Sequence, residues 1–209
     1  MAFADWDVYN VAATVNIDVA SPIVGTGSLR LADPDIASAR ANLVPKITSA
    51  LPHALLKGKM RQLVKVVAKG GGGMFGIAAM QSARDLTAAG TAAYLGVLLP
   101  ANGVVRILKV TNGLEFQTVL ASATYAMDEG GIYAIELEWV VDVVELGGTR
   151  LIMRTGTALN FSDLVEVLSY TDISAPLITT LGEGPCMTSP GAANLADCRI
   201  DQTRLVLRT

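Results

Sequence analysis

Between residues 93 and 154 the chain falls into short apolar or alternating runs, separated by glycine-bearing turn pairs. The runs are Tyr94–Leu99, Val104–Val110, Leu114–Ala121, Ile132–Val141 and Thr149–Arg154. The breaks are Asn102-Gly103, Asn112-Gly113, Gly130-Gly131 and Gly147-Gly148. Asn-Gly suits a two-residue hairpin because both positions tolerate positive φ, which matches the twist of the flanking strands. The pattern therefore predicts five consecutive strands in an antiparallel meander. Along Ile132–Val141, Tyr133, Ile135, Leu137, Trp139 and Val141 share one face, and Ala134, Glu136, Glu138 and Val140 share the other. That alternation describes a strand whose inner face is buried and whose carboxylate-bearing face looks outward.

The flanks extend the same reading. Val11–Val19, Gly27–Leu31, Met60–Ala68, Met74–Met80, Thr171–Leu181 and Arg199–Arg208 are further candidate strands. Ile36–Ala54 is alanine-rich, and Pro45 and Pro52 interrupt any long helix, so it is expected as an excursion over the sandwich. The stretch after Arg154, carrying Phe161, Leu164 and Val167, and the stretch Gly182–Gly191 are expected as loops. The predicted class is all-β, a two-sheet antiparallel sandwich with few short helical turns. Residues 1–26 form an N-terminal arm or first strand, and 27–209 a single domain.

Composition changes this picture in one respect. Apolar residues make up 51% and charged residues 17% of 209, against about 25% charged in ordinary domains. Mean hydropathy is +0.45. Either the core is unusually large or apolar surface is covered by another subunit, and the second is the expectation. A net charge of −3 argues against a nucleic-acid partner. Lys57, Lys59, Arg61, Lys65 and Lys69 cluster, but from Arg61 onward they alternate with apolar residues, as the solvated face of a strand does. Residues 1–20 lack the basic start and apolar core of a secretory leader. Leu86–Val105 is uncharged over membrane-spanning length, but Gly90, Gly96, Pro100, Asn102 and Gly103 break it. No membrane partner is expected. Cys186 and Cys198 are expected as reduced thiols, with a bridge across the intervening loop as the alternative.

The layout resembles the concanavalin-A-like lectin/glucanase jelly roll in its laminin-G-like form. The resemblance runs over roughly residues 25–207. It begins with Gly27-Ser28-Leu29-Arg30-Leu31 and passes through Met60–Ala68 and Met74–Met80. It continues through the tyrosine-led Tyr94–Leu99 and the entry Gly131-Ile132-Tyr133, and closes with Cys198-Arg199-Ile200-Asp201. The family contains glycosidases and glycan binders. Its glucanases carry carboxylates on alternate residues of one strand, and the spacing of that pair sets the chemistry. Glu136 and Glu138 have the spacing, but the next same-face residue is Val140, so the third carboxylate is missing. The pair is expected as solvated surface rather than as a catalytic couple. Lectins of the family hold calcium through acids and asparagine. Asp33 and Asp35 around Pro34 are the nearest match and are expected as turn residues.

Other chemistry is sparse. His53, the sole histidine, sits beside Pro52 without a nucleophile pattern, and Gly70–Gly73 lacks the lysine of a phosphate loop. The expectation is thus a non-enzyme with no cofactor and no metal. The combination resembles accessory structural proteins of tailed-phage virions, above all capsid decoration or cement. Its partners would be itself, as a symmetric oligomer such as a trimer, and other virion proteins such as the major capsid protein. Trp6, Val8 and Tyr9 would make the contact. The alternatives are a carbohydrate-binding module, a compact tail or baseplate protein for host adhesion, or a divergent glycosidase.

Overall fold

The structure, a computed structural model, describes residues 6–20, 22–33, 39–45, 57–177, 182–189 and 196–207. Its strands are β1 (Trp6–Val11), β2 (Thr14–Asp18), β3 (Ser28–Ala32), β4 (Ala39–Pro45), β5 (Lys57–Ala68), β6 (Met74–Ala79) and β7 (Ala93–Leu99). They continue as β8 (Val104–Val110), β9 (Gln117–Thr124), β10 (Ile132–Asp142), β11 (Gly148–Gly156), β12 (Val165–Asp172), β13 (Gly184–Ser189) and β14 (Asp197–Leu207). Two seven-stranded antiparallel sheets result. The first runs β1-β4-β13-β6-β7-β8-β9 and the second β12-β11-β10-β5-β14-β3-β2. This is the jelly-roll sandwich.

The inner faces meet where alternation placed them. Tyr133, Ile135, Leu137, Trp139 and Val141 of β10 join Phe75, Ile77, Tyr94, Leu98, Val105 and Ile107 of the first sheet in one buried cluster. Trp139 pairs in register with Gly58 of β5. A Cβ at Gly58 would stand 2.4 Å from the indole, so that position admits only glycine beneath the ring.

Five expectations need correction. The meander is split: β7, β8 and β9 stay in the first sheet, and the chain crosses after Thr124 to build β10 and β11 in the second. Gly130 and Gly131 are not a hairpin between neighbours; they bond Val66 of β5 through Gly130 N to Val66 O (2.7 Å) and Val66 N to Gly131 O (3.0 Å). The run Val11–Val19 is broken at Ala12, where φ is 60°, and its two halves belong to different sheets. The excursion 36–54 contributes β4, whose small Ala39 and Ala41 and longer Leu43 reach the core. Both expected loops contain strands. β12 is an edge strand with a register shift opposite Met153/Arg154, which blurs its alternation. β13 looks like a loop because it holds Gly184 and Pro185, yet it runs between β4 and β6. Any Cβ at Gly184 would lie 1.8 Å from the Leu43 carbonyl oxygen.

The first sheet carries a second apolar layer on its outer face. Met74, Ala78, Ala93, Leu95, Val97, Leu99, Leu108, Val110 and Cys186 pack with Leu86 and Leu114, which come from the loops after β6 and β8. Asn42 clamps the first of these loops: its Nδ2 donates to Arg84 O at 2.8 Å and its Oδ1 accepts from Leu86 N at 3.0 Å. The expected strand start at Leu114 is therefore part of this cover, and β9 begins at Gln117. Much of the apolar surplus is buried inside the chain itself, so composition alone no longer requires a companion subunit.

One interior position is mismatched. Gln62 shares the inward face of β5 with Met60 and Val64, and neither its amide nitrogen nor its oxygen has a partner among the described residues. A buried amide without a hydrogen bond costs stability. Gln62→Met should therefore stabilise the fold by about 1 kcal/mol, read as a higher denaturant midpoint; a lower midpoint would show that the amide is satisfied by enclosed water.

Candidate functional site

The outer face of the second sheet gathers the charged chemistry. Register sets Glu136 of β10 between Arg61 of β5 and Arg154 of β11, and sets Glu138 opposite Lys59. Arg61 Nε donates to Glu136 Oε2 at 2.5 Å, and Lys59 Nζ stands 3.6 Å from the same oxygen. Arg154 Nη1 donates to Glu136 Oε1 and to Glu138 Oε2, the latter at 2.6 Å. The two glutamates are thus not solvated surface. Their side chains are 1% and 4% exposed, while those of Lys59, Arg61 and Arg154 above them are 15%, 31% and 22% exposed. Burial alone would raise the Glu136 pKa, but the hydrogen bonds from Arg61 and Arg154 outweigh it and hold the carboxyl below its ordinary value. The outward spacing of the glutamates was legible; the arginine cover came from β5 and β11, which only register could reveal.

A groove of about 370 Å³ opens beside this cluster, lined by Val24, Leu159, Asn160, Phe161, Gln202 and Arg204. Two of its residues hold left-handed backbone without being glycine, Phe161 at φ 63° and Gln202 at φ 48°. Such conformations persist only where surroundings enforce them. At Phe161 the enforcer is Asp163, whose carboxylate accepts from Thr157 N at 2.8 Å, Thr157 Oγ1 at 3.0 Å and Ala158 N at 3.0 Å. Those bonds, the backbone N–H groups of Thr157 and Ala158 first, keep the Asp163 pKa low. The turn seats Phe161 over Leu63 and Ala134, and the Arg61 guanidinium lies 5.9 Å from its ring centroid. At Gln202 the enforcer is a shift in pairing between Asp201 and Arg204. Asp201 anchors that bulge, accepting from Gln202 N at 2.7 Å, Ser28 Oγ at 2.9 Å and Val24 N at 3.0 Å. Phe161, Gln202 and Arg204 were not foreseen as site residues. The only local signal was the Asn160/Asp163 pair, whose side chains commonly bond nearby backbone in turns.

The residues singled out from sequence lie elsewhere. Trp6, Val8 and Tyr9 sit on the edge strand β1 paired with β4, and Trp6 and Val8 pack against the chain's own core. Cys186 and Cys198 are free and buried, one in the outer layer of the first sheet and one in the central core. Burial pushes the Cys186 thiol up to about 12 and the Cys198 thiol well above its usual value. Asp33 is buried and donates its backbone N–H to Ala196 O at 2.8 Å. Asp35 and His53 lie outside the described residues. Among the described residues no three histidine, cysteine or acidic side chains gather as metal ligands, and no helix is long and apolar enough to cross a membrane.

Comparison with solved structures finds the same two-sheet sandwich in a carbohydrate-binding module, a lectin-like domain and an alginate lyase, among others. The carbohydrate-binding module CBM66 from Bacillus subtilis matches with a TM-score of 0.55 at 14% identity, covering 94% of this chain and 96% of that one. The legume lectin-like domain from Entamoeba histolytica matches at 0.57 and 12% identity, covering 99% and 91%. The marine PL-14 alginate lyase from Aplysia kurodai matches at 0.62 and 10% identity, covering 93% and 87%. No family model and no curated protein sequence matches the chain. At these identities the likeness establishes the concanavalin-A-like jelly-roll fold.

Proposed function

We propose that this chain is a carbohydrate-binding module that holds a sugar in the groove between residues 22–27, the Asp163 turn and the β14 bulge. The observation that carries this reading is the pair of enforced left-handed residues, Phe161 and Gln202, lining one groove. Strained backbone held by dedicated carboxylates is a common mark of a built site. Asn160 and Gln202 supply amides suited to sugar hydroxyls, and Leu159 and Phe161 supply apolar wall. The lectin and binding-module neighbours support the same direction. A virion role, with capsid decoration as its form, gains no support from those neighbours.

Because alginate lyases share the fold, the choice between binding and cleavage rests on the site. Acid catalysis of glycoside cleavage needs one carboxylic acid with a raised pKa. Glu136 is driven the other way, and both glutamates are tied to Arg154. This speaks against acid-catalysed hydrolysis at the glutamate pair, the chemistry that would use such an acid.

The test is affinity electrophoresis of the whole chain through gels containing neutral and acidic polysaccharides. At least one polymer should retard the protein. Gln202→Gly should keep the fold, because glycine accepts φ 48° without strain, and should weaken retention about fivefold through loss of one amide contact. Passage through every polymer unretarded, or wild-type retention by the variant, would overturn the reading.

A further inference from the structure

The geometry points to a carboxylated or sulfated sugar as the ligand, its anionic group seated between Arg61 and Arg204; this inference rests on the sugar-binding reading. Three facts carry it. First, the charged cluster is layered. Glu136 and Glu138 form a buried floor, and Lys59, Arg61 and Arg154 form the partly exposed layer above, three cations over two carboxylates. Solvent therefore meets Lys59, Arg61 and Arg154 before the glutamates; the exposed Glu166 stands beside Arg154 on β12, at the side away from Arg61 and Arg204. Second, Arg204 stands directly opposite Arg61 across the β14–β5 pairing. Like charges so placed repel, and an anion between them turns that repulsion into attraction on both sides. Arg204 is exposed, lines the groove and makes no ion pair among the described residues. Third, the chain as a whole carries a net charge of −3, so a cationic face is a local arrangement and not a spillover of general basicity.

Phe161 links the two halves of the site. Phe161 lines the groove, and the Arg61 guanidinium lies 5.9 Å from its ring centroid, which puts Arg61 next to the groove wall on the side of Arg204. Asn160 and Gln202 then face the neutral hydroxyls of the same sugar.

Isothermal titration of the full chain separates the possibilities, using trigalacturonate for carboxylate, a chondroitin-sulfate tetrasaccharide for sulfate and mannotriose as the neutral probe. At least one acidic probe should bind more tightly than mannotriose at about 50 mM salt and weaken about tenfold at about 500 mM. Arg204→Gln should weaken the same probe about tenfold with an unchanged thermal midpoint, since the side chain is exposed. Which acidic probe responds tells carboxylate from sulfate recognition. Mannotriose bound as tightly, with no effect of Arg204→Gln, would overturn the anionic ligand and leave sugar binding standing. Silence with all three probes would overturn it as well, and retention in the gel experiment would then decide the broader reading independently.

Discussion

Asp172→Ala is expected to be the most damaging single substitution in the interior, costing about 3–5 kcal/mol. The carboxylate sits at the end of β12, where the two sheets are tied together across their edge. Its Oδ2 accepts from Tyr94 OH at 2.6 Å and from Lys109 Nζ at 2.7 Å, both from the opposite sheet. Lys109 also donates to Ser174 O at 2.9 Å and Ala175 O at 2.6 Å, and Tyr94 OH accepts from Leu177 N at 2.9 Å. Removing the carboxylate leaves a buried ammonium with two carbonyls and the Tyr94 ring around it but no counter-charge, and that uncompensated charge is the main cost. A domain of ordinary stability has about 5–15 kcal/mol in total, so the variant should be poorly folded at room temperature. The double variant Asp172→Ala with Lys109→Met removes the stranded charge and should recover much of the loss, as read from denaturant midpoints. If the single variant were as stable as wild type, the tie would hold nothing.

The same tie dictates a pH response. Burial alone would raise the Asp172 pKa, but the bonds from Lys109 and Tyr94 prevail and lower it. A depressed carboxyl contributes stability above its unfolded value, about 3.9, and the contribution is lost as pH falls through the folded value. Tyr94 is shifted upward, first by burial and then by its bond to Asp172. Its contribution is present below the unfolded value, about 10, and lost as pH rises above it. The tie should therefore weaken at both extremes, and Asp172→Asn should flatten the acid limb of a stability profile.

How far the sequence revealed this molecule depends on which interactions were local. Alternation along β10 named the buried face of Trp139 and the outward face of Glu136, because the period of a strand is written in consecutive residues. Where pairing joined distant segments, the signal failed. β13 reads as a loop, yet its glycine is demanded by a carbonyl on β4, more than a hundred positions earlier. β12 is blurred by its bulge. The cut of the meander after β9 depends on Val66 receiving Gly130 and Gly131, a contact invisible to local pattern. The site shows the same division. The glutamate pair was visible as a pair, but whether it met water or arginine depended on which strands flanked it. The groove was invisible because it rests on backbone angles at Phe161 and Gln202 that their side chains do not announce.

Glu136→Gln should separate the structural from the electrostatic role of the charged face, because the two readouts move in opposite directions. The substitution keeps the side-chain shape and removes one negative charge from beneath Arg61, Arg154 and Lys59. Breaking a buried ion pair by neutralising one member costs about 3–5 kcal/mol when the stranded partners are fully desolvated. Here the cations keep partial access to water, which screens them, so about 2–3 kcal/mol is expected. The pH dependence follows from the depressed Glu136 carboxyl: its share of stability is present above the unfolded glutamate value, about 4.3, and is lost as pH falls. Wild type and variant should therefore converge in acid. Affinity for an acidic sugar should meanwhile rise, about fivefold at low salt, since the floor that neutralises the arginines has lost a charge. A glycosidase acid or nucleophile at Glu136 would behave differently, losing turnover on the same change with no gain in affinity. A variant that lost stability without gaining affinity for acidic sugars would confine Glu136 to folding and detach the cationic face from the ligand; one that gained affinity would show that the same ion pairs that hold the sheet also set the field its ligand meets.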